Sequence, residues 1–207
     1  MNESDYDRLV TRVVALIAGA SGSGKTRLAR LTGWPRLRLD DFYLAATDPA
    51  IPRSETGVID WDDIRTFDTD SAAQALVTLA RDGVVTAPVY SIADNAPVGV
   101  HIVDATDAPV IVAEGIFATA MLAVCKAHDI PVIAIWLDRG RWITWARRLR
   151  RDIRDHRKPL GVLWRRGIAL RRAEPALRRE AIEAGFTPMT MRQACAALSA
   201  SARSTPA

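Results

Sequence analysis

The chain is short of lysine, cysteine, histidine, aromatic residues and long apolar runs, and each shortage narrows what it can be. Its 207 residues include two cysteines, Cys125 and Cys195, and three histidines. Thiols and imidazoles so few and so far apart make neither a disulfide framework nor a zinc-type cluster, and they fit a reducing, cytoplasmic setting. No apolar run approaches the ~20 residues that cross a bilayer, which argues against a membrane-spanning helix. The start, Met1 to Asp7, is acidic where a secretory signal is basic and then apolar. Aromatic residues make up 6% of the chain. Few of them fall among the basic residues, so the chain lacks the interleaved stacking platform of single-strand nucleic-acid binders.

What is present is ordinary globular composition with one asymmetry. Hydrophobic residues are 49% and charged residues 25%, enough to bury a core in a single domain spanning 1–207. The 28 basic residues include only three lysines, Lys25, Lys126 and Lys158, so 25 are arginine, and fifteen of the 28 lie between Arg139 and Arg179. A net charge of +4 distributed in this way points to a phosphate-bearing partner, a nucleic acid or an anionic surface.

Four short apolar runs read as strands buried on both faces of a parallel sheet: Val13–Ala18, Leu37–Leu39, Val110–Ala113 and Val132–Leu137. Each ends at a glycine or a carboxylate, where an open α/β sheet keeps its functional groups. Helical patterns follow over Lys25–Leu31, Ser71–Arg81 and Ile116–His128. This alternation predicts an α/β fold, a parallel sheet flanked by helices. Val84–Tyr90 and Val98–Val103, joined through Asp94-Asn95-Ala96-Pro97, predict a small antiparallel hairpin inserted into it. From Gly140 onward the pattern is helical, with a break at Lys158-Pro159, a short strand near Gly185–Thr187 and a frayed polar tail over 199–207.

Gly19-Ala20-Ser21-Gly22-Ser23-Gly24-Lys25-Thr26 matches G-x-x-x-x-G-K-[ST] between the best strand and a helix, which is the context that the motif requires. Its glycines let successive N–H groups turn inward onto phosphate oxygens, and the helix start adds its positive dipole end. Lys25 reaches the β- and γ-phosphates, Thr26 ligates Mg²⁺, and Glu114 supplies a carboxylate for the metal or its waters. A nucleoside triphosphate, ATP with Mg²⁺, is therefore the expected ligand. No Asn-Lys-x-Asp base-reading motif accompanies the loop, which argues against a GTPase.

Leu39-Asp40-Asp41-Phe42-Tyr43 ends the second strand beside this loop, where a carboxylate suits a general base for an incoming hydroxyl. From these residues the chain resembles the uridine kinase-like family of P-loop kinases, the phosphoribulokinase/uridine kinase group. The same order of motifs continues through Asp60-Trp61-Asp62-Asp63-Ile64-Arg65-Thr66-Phe67-Asp68, Pro88-Val89-Tyr90, Glu114-Gly115-Ile116 and Arg147-Arg148-Leu149-Arg150-Arg151-Asp152-Ile153.

The resemblance implies a P-loop NTPase fold with a helical lid at about 147–160. It implies that Asp40 is the catalytic base and approaches Mg²⁺, that Asp62 holds ribose hydroxyls, and that Tyr43, Trp61 and Tyr90 line the acceptor pocket. It also implies a lid in which Arg148 and Arg151, three apart on one helix face, meet the transferring phosphoryl group, with Arg157 on the nucleotide and Lys158 on the acceptor. Asp62 and Asp63 are also readable as turn or N-cap residues, and Trp61 as a core aromatic. The lid's family continuation Arg-Gly-Arg is replaced here by His156-Arg157-Lys158-Pro159, and the hairpin has no histidine before His101.

The leading reading is thus an ATP- and Mg²⁺-dependent kinase acting on a small hydroxyl acceptor, with a nucleoside 5′-hydroxyl as the expected acceptor. Pantothenate, nicotinamide riboside and a sugar phosphate are alternative acceptors. An ATP-dependent nucleic-acid-binding module and a nucleotide-gated regulator are readings of other classes. Assembly as a homo-oligomer stays open.

Overall fold

The computed structural model describes residues 12–55, 57–138 and 174–204. The proposed lid residues Arg148, Arg151, Arg157 and Lys158 lie outside these described residues.

Five strands form one parallel sheet: β1 (Val13–Ala18), β2 (Arg36–Arg38), β5 (Val110–Glu114), β6 (Val132–Leu137) and β7 (Thr187–Met189), in the order β2-β5-β1-β6-β7. A separate antiparallel pair, β3 (Val84–Ser91) with β4 (Ala96–Asp104), makes the hairpin. The central strand β1 is buried at every position from Val14 to Ala18, and β5 along its whole length, as apolar runs without alternation require. β1 lies between β5 and β6, so the winding reverses direction at its carboxyl end. The crevice expected at such a switch point is therefore where the phosphate loop starts.

Helix α1 (Lys25–Thr32) and helix α4 (Met191–Ser204) pack together on one face over Ala15, Ile17, Val110 and Val112. On the other face α2 (Thr69–Asp82) and α3 (Met121–Ala127) cover Val14, Leu16, Ile111 and Ala113. Helical residues 174–184 add Ala181 to that second core. The caps explain several boundaries. Asp68 accepts from Ser71 N–H at 3.0 Å to start α2, and Gly83 in the left-handed region stops it. Thr190 and Gln193 cap α4 reciprocally, with the Gln193 side chain accepting from Thr190 N–H at 2.9 Å.

Three sequence expectations shift. The second strand ends at Arg38, because Leu39–Phe42 form a 3₁₀ turn that sends Asp40 and Asp41 to different sides. Helix α3 starts at Met121 rather than Ile116, after a run of turns. The tail expected to fray from 199 instead stays helical to Ser204, anchored by Leu198, which is fully buried against α1.

Candidate active site

The phosphate loop is built by glycine. Gly19, Gly22 and Gly24 all have positive φ, at 145°, 90° and 104°. A Cβ on Gly19 would sit 3.1 Å from the Leu137 carbonyl oxygen, so the loop is pressed onto the end of β6. Helix α1 then begins at Gly24 with no side-chain cap and no acidic residue in its first turn, which leaves its N–H groups and dipole open to an anion. The Ser23 hydroxyl is buried inside the loop with no hydrogen-bond partner. Lys25 is itself buried, and its Nζ donates to Gly19 O at 2.8 Å. This cradle fits a polyphosphate: an uncapped helix start with no acidic residue in its first turn, a lysine and an orphaned hydroxyl.

Glu114 closes one side. It is 4% exposed at the end of β5, and its Oε1 accepts from the Thr26 hydroxyl at 3.0 Å and lies 3.7 Å from Arg36. Burial raises its pKa, an effect that the nearby charge of Lys25 and the Thr26 bond only partly offset. Thr26, Glu114 and Asp40 are hard oxygen donors of the kind that hold Mg²⁺ jointly with phosphate oxygens. Among the described residues there is no cluster of three or more His, Cys, Asp or Glu side chains, so no all-protein metal cage competes with that arrangement.

Asp40 is half-buried, and its Oδ1 accepts from Ile116 N–H at 3.2 Å. Gly115 permits this approach, since a Cβ there would lie 2.8 Å from both Asp40 Oδ1 and Leu39 Cβ. The general-base candidate and the metal candidate Glu114 are thus fixed at the ends of adjacent parallel strands.

Beyond Asp40 stands an aromatic wall. Tyr43 lies with ring centroids 5.6 Å from Trp61, 5.6 Å from Tyr90 and 5.8 Å from Phe117, and Phe67 packs 5.1 Å from Phe117. The Tyr43 hydroxyl donates to the Trp61 carbonyl at 3.0 Å, and that of Tyr90 to the Leu44 carbonyl at 3.3 Å. Desolvation pushes the Tyr90 phenol up to about 12. Asp62 is exposed on the loop next to Trp61, while Asp63 caps the 3₁₀ turn Ile64–Thr66 and is held down to about 2 by its hydrogen bonds from Arg65. Asp63 therefore does the capping, and Asp62 is the exposed residue between it and Trp61.

The structure brings together Lys25, Thr26, Asp40 and Glu114, and beside them Tyr43, Trp61 and Tyr90. Sequence reasoning missed Phe117, which follows Glu114-Gly115-Ile116 closely enough to have been included. It also gave no task to Asp41, the second carboxylate of Asp40-Asp41.

The sequence profile described as Phosphoribulokinase / Uridine kinase family matches residues 13–158, a span from the first strand to the proposed lid. The chain belongs to the phosphoribulokinase/uridine kinase family. Within it, the chain is similar to the uridine kinase of Schizosaccharomyces pombe, 32% identical over 159 residues that cover 71% of this chain and 33% of that protein. It is also similar to the uridine kinase of Saccharomyces cerevisiae, 31% identical over 144 residues covering 66% and 28%. The chain thus spans about a third of the length of the curated relatives it matches. Among solved structures, a candidate fructose transport system kinase from a Silicibacter species superposes with TM-score 0.52 at 21% identity, covering 86% of this chain and 88% of that one, which establishes the shared fold. No helix among the described residues is long and apolar enough to cross a membrane.

Proposed function

We propose that this member of the phosphoribulokinase/uridine kinase family transfers the γ-phosphoryl group of ATP to a hydroxyl of a small molecule, and that the acceptor is the 5′-hydroxyl of a nucleoside. The observation that carries the reading is Asp40, held by the Ile116 amide next to Glu114, which the phosphate-loop Thr26 bonds, and in the same turn that leads into Tyr43 of the aromatic wall.

The proposed chemistry is positioning and electrostatics. The loop N–H groups, α1 and Lys25 hold the triphosphate, with Thr26, Glu114 and Asp40 as the residues that would hold Mg²⁺. Held there, Mg²⁺ would supply charge neutralisation to the phosphates. The acceptor hydroxyl gives its proton to Asp40 as its oxygen bonds to the γ-phosphorus, and the bond to the β–γ bridging oxygen breaks to release ADP. Trp61 and Tyr90 would face the planar base of the nucleoside, and Asp62 would accept from two ribose hydroxyls. In the family's arrangement, Arg148, Arg151 and Arg157 would close over the phosphates, with Lys158 on the acceptor.

A coupled ADP-release assay across nucleosides, vitamins and sugars tests this. Turnover with a nucleoside and product phosphorylated at the 5′ position supports it. Turnover only with pantothenate, nicotinamide riboside or a sugar phosphate moves the acceptor, and oligonucleotide binding with a steep salt slope and no turnover would replace the kinase reading altogether.

A further inference from the structure

Asp41 directly follows Asp40 and faces the other way. Its carboxylate is 1% exposed, enclosed between the 3₁₀ turn and the hairpin. Oδ1 accepts from the Tyr90 amide at 3.4 Å, and Oδ2 lies 3.5 Å from Arg38 Nη1 without forming a hydrogen bond. His101 on β4, paired in register with Ala87, contributes a nearby positive charge when protonated, and its Nδ1 is also buried without a partner. A carboxylate this deep and only partly satisfied works against stability, so its position calls for another reason.

The hairpin supplies one. β3 is paired on one side only, by β4, so amides on its other edge are available to other partners, and that of Tyr90 donates to Asp41. The ladder's register shift between Val89 and Tyr90 leaves Val98 of β4 without a partner residue on β3. The same short turn thus presents Asp40 to the phosphate side and Asp41 to the strand that carries Tyr90.

We propose that Asp41 is a positioning residue that locks the hairpin, and with it the Tyr90 wall, to the turn that carries Asp40, and so sets acceptor affinity rather than the transfer step. The proposal rests on the reading of the aromatic wall as the acceptor pocket. Losing one hydrogen bond to a charged group predicts a rise of about tenfold in the acceptor KM.

Two measurements test it. Hydrogen exchange followed by mass spectrometry on the intact chain reads the lock without any substrate. In Asp41→Ala, amides of Val84–Ser91 should exchange faster while those of Val13–Ala18 and Val110–Glu114 keep the wild-type rate. Asp41→Asn, which keeps an acceptor oxygen in the same volume, should restore the wild-type pattern. Steady-state kinetics with whichever acceptor the wild type turns over should then show the KM rise in Asp41→Ala, with kcat and the ATP KM within about twofold, and rescue in Asp41→Asn. Unchanged hairpin exchange in Asp41→Ala overturns the proposal, as does loss of the whole fold or a fall in kcat with acceptor KM unchanged. A wild type that phosphorylates no acceptor would sink the function proposed above, yet the exchange result would still decide whether Asp41 is the lock.

Discussion

Asp40 carries the most specific single-residue expectation. Asp40→Asn keeps the shape and the bond from Ile116 N–H but cannot take a proton, so transfer should fall by about 10²–10⁴-fold while ATP affinity, measured by calorimetry, stays near wild type. Gly115→Ala tests the same geometry from its neighbour. The new methyl would meet Asp40 and the Leu39 Cβ, which is not the far end of a flexible chain. We expect kcat to drop at least about tenfold, with an overpacking cost of about 1–3 kcal/mol seen in denaturant melts. Glu114 gives a pH signature. Its pKa is raised in the folded chain, so the folded state binds the proton more tightly than the unfolded one. That contribution to stability is present at low pH and is lost as pH rises through the folded pKa. In metal-free buffer at pH 7 Glu114→Gln should therefore melt higher than wild type, by about 2–4 °C for each kcal/mol relieved. The gap should close as pH is lowered, and turnover should be lost. These residues were legible in the sequence because each sits at a strand end inside a motif with fixed spacing. Asp41 was written in the same motif but had no legible task, since its partner, the Tyr90 amide, comes from a strand far along the chain that only the folded structure brings to it.

At the scale of elements, β1 and β6 were legible to the residue because strands interior to a parallel sheet, covered on both faces, appear as unbroken apolar runs. The second strand and α3 were misplaced by a 3₁₀ turn and a chain of turns, which carry almost no periodic signal. Arg12 was invisible among so many arginines. It is buried, and its guanidinium donates to the carbonyls of Ala80, Arg81, Ala105 and Thr106, tying the end of α2 to the chain leaving the hairpin. These include last-turn carbonyls that the helix itself leaves unpaired. Arg12→Leu should cost about 3 kcal/mol in equilibrium unfolding, without changing ATP affinity at a temperature where the variant is folded.

For the whole molecule, the scarcity of aromatic residues becomes informative. Five of the chain's thirteen aromatics, Tyr43, Trp61, Phe67, Tyr90 and Phe117, gather in one cluster beside Asp40. Phe67 and Phe117 of this cluster are buried in the core, and on the function proposed here Tyr43, Trp61 and Tyr90 would offer a flat ligand its stacking surface. The basic excess divides differently. Lys25 has its place in the cradle, whereas Arg178 holds Asp138 at the end of β6 through a contact of 2.9 Å, a structural use of one charge in the arginine-rich stretch. The most direct test of the central claim is transfer of radiolabelled γ-phosphate from ATP to a panel of nucleosides, with wild type and Asp40→Asn side by side. The account predicts a labelled nucleoside 5′-monophosphate from the wild type and essentially none from Asp40→Asn. Equal labelling by the two proteins, or no labelled product from any hydroxyl acceptor, would contradict it.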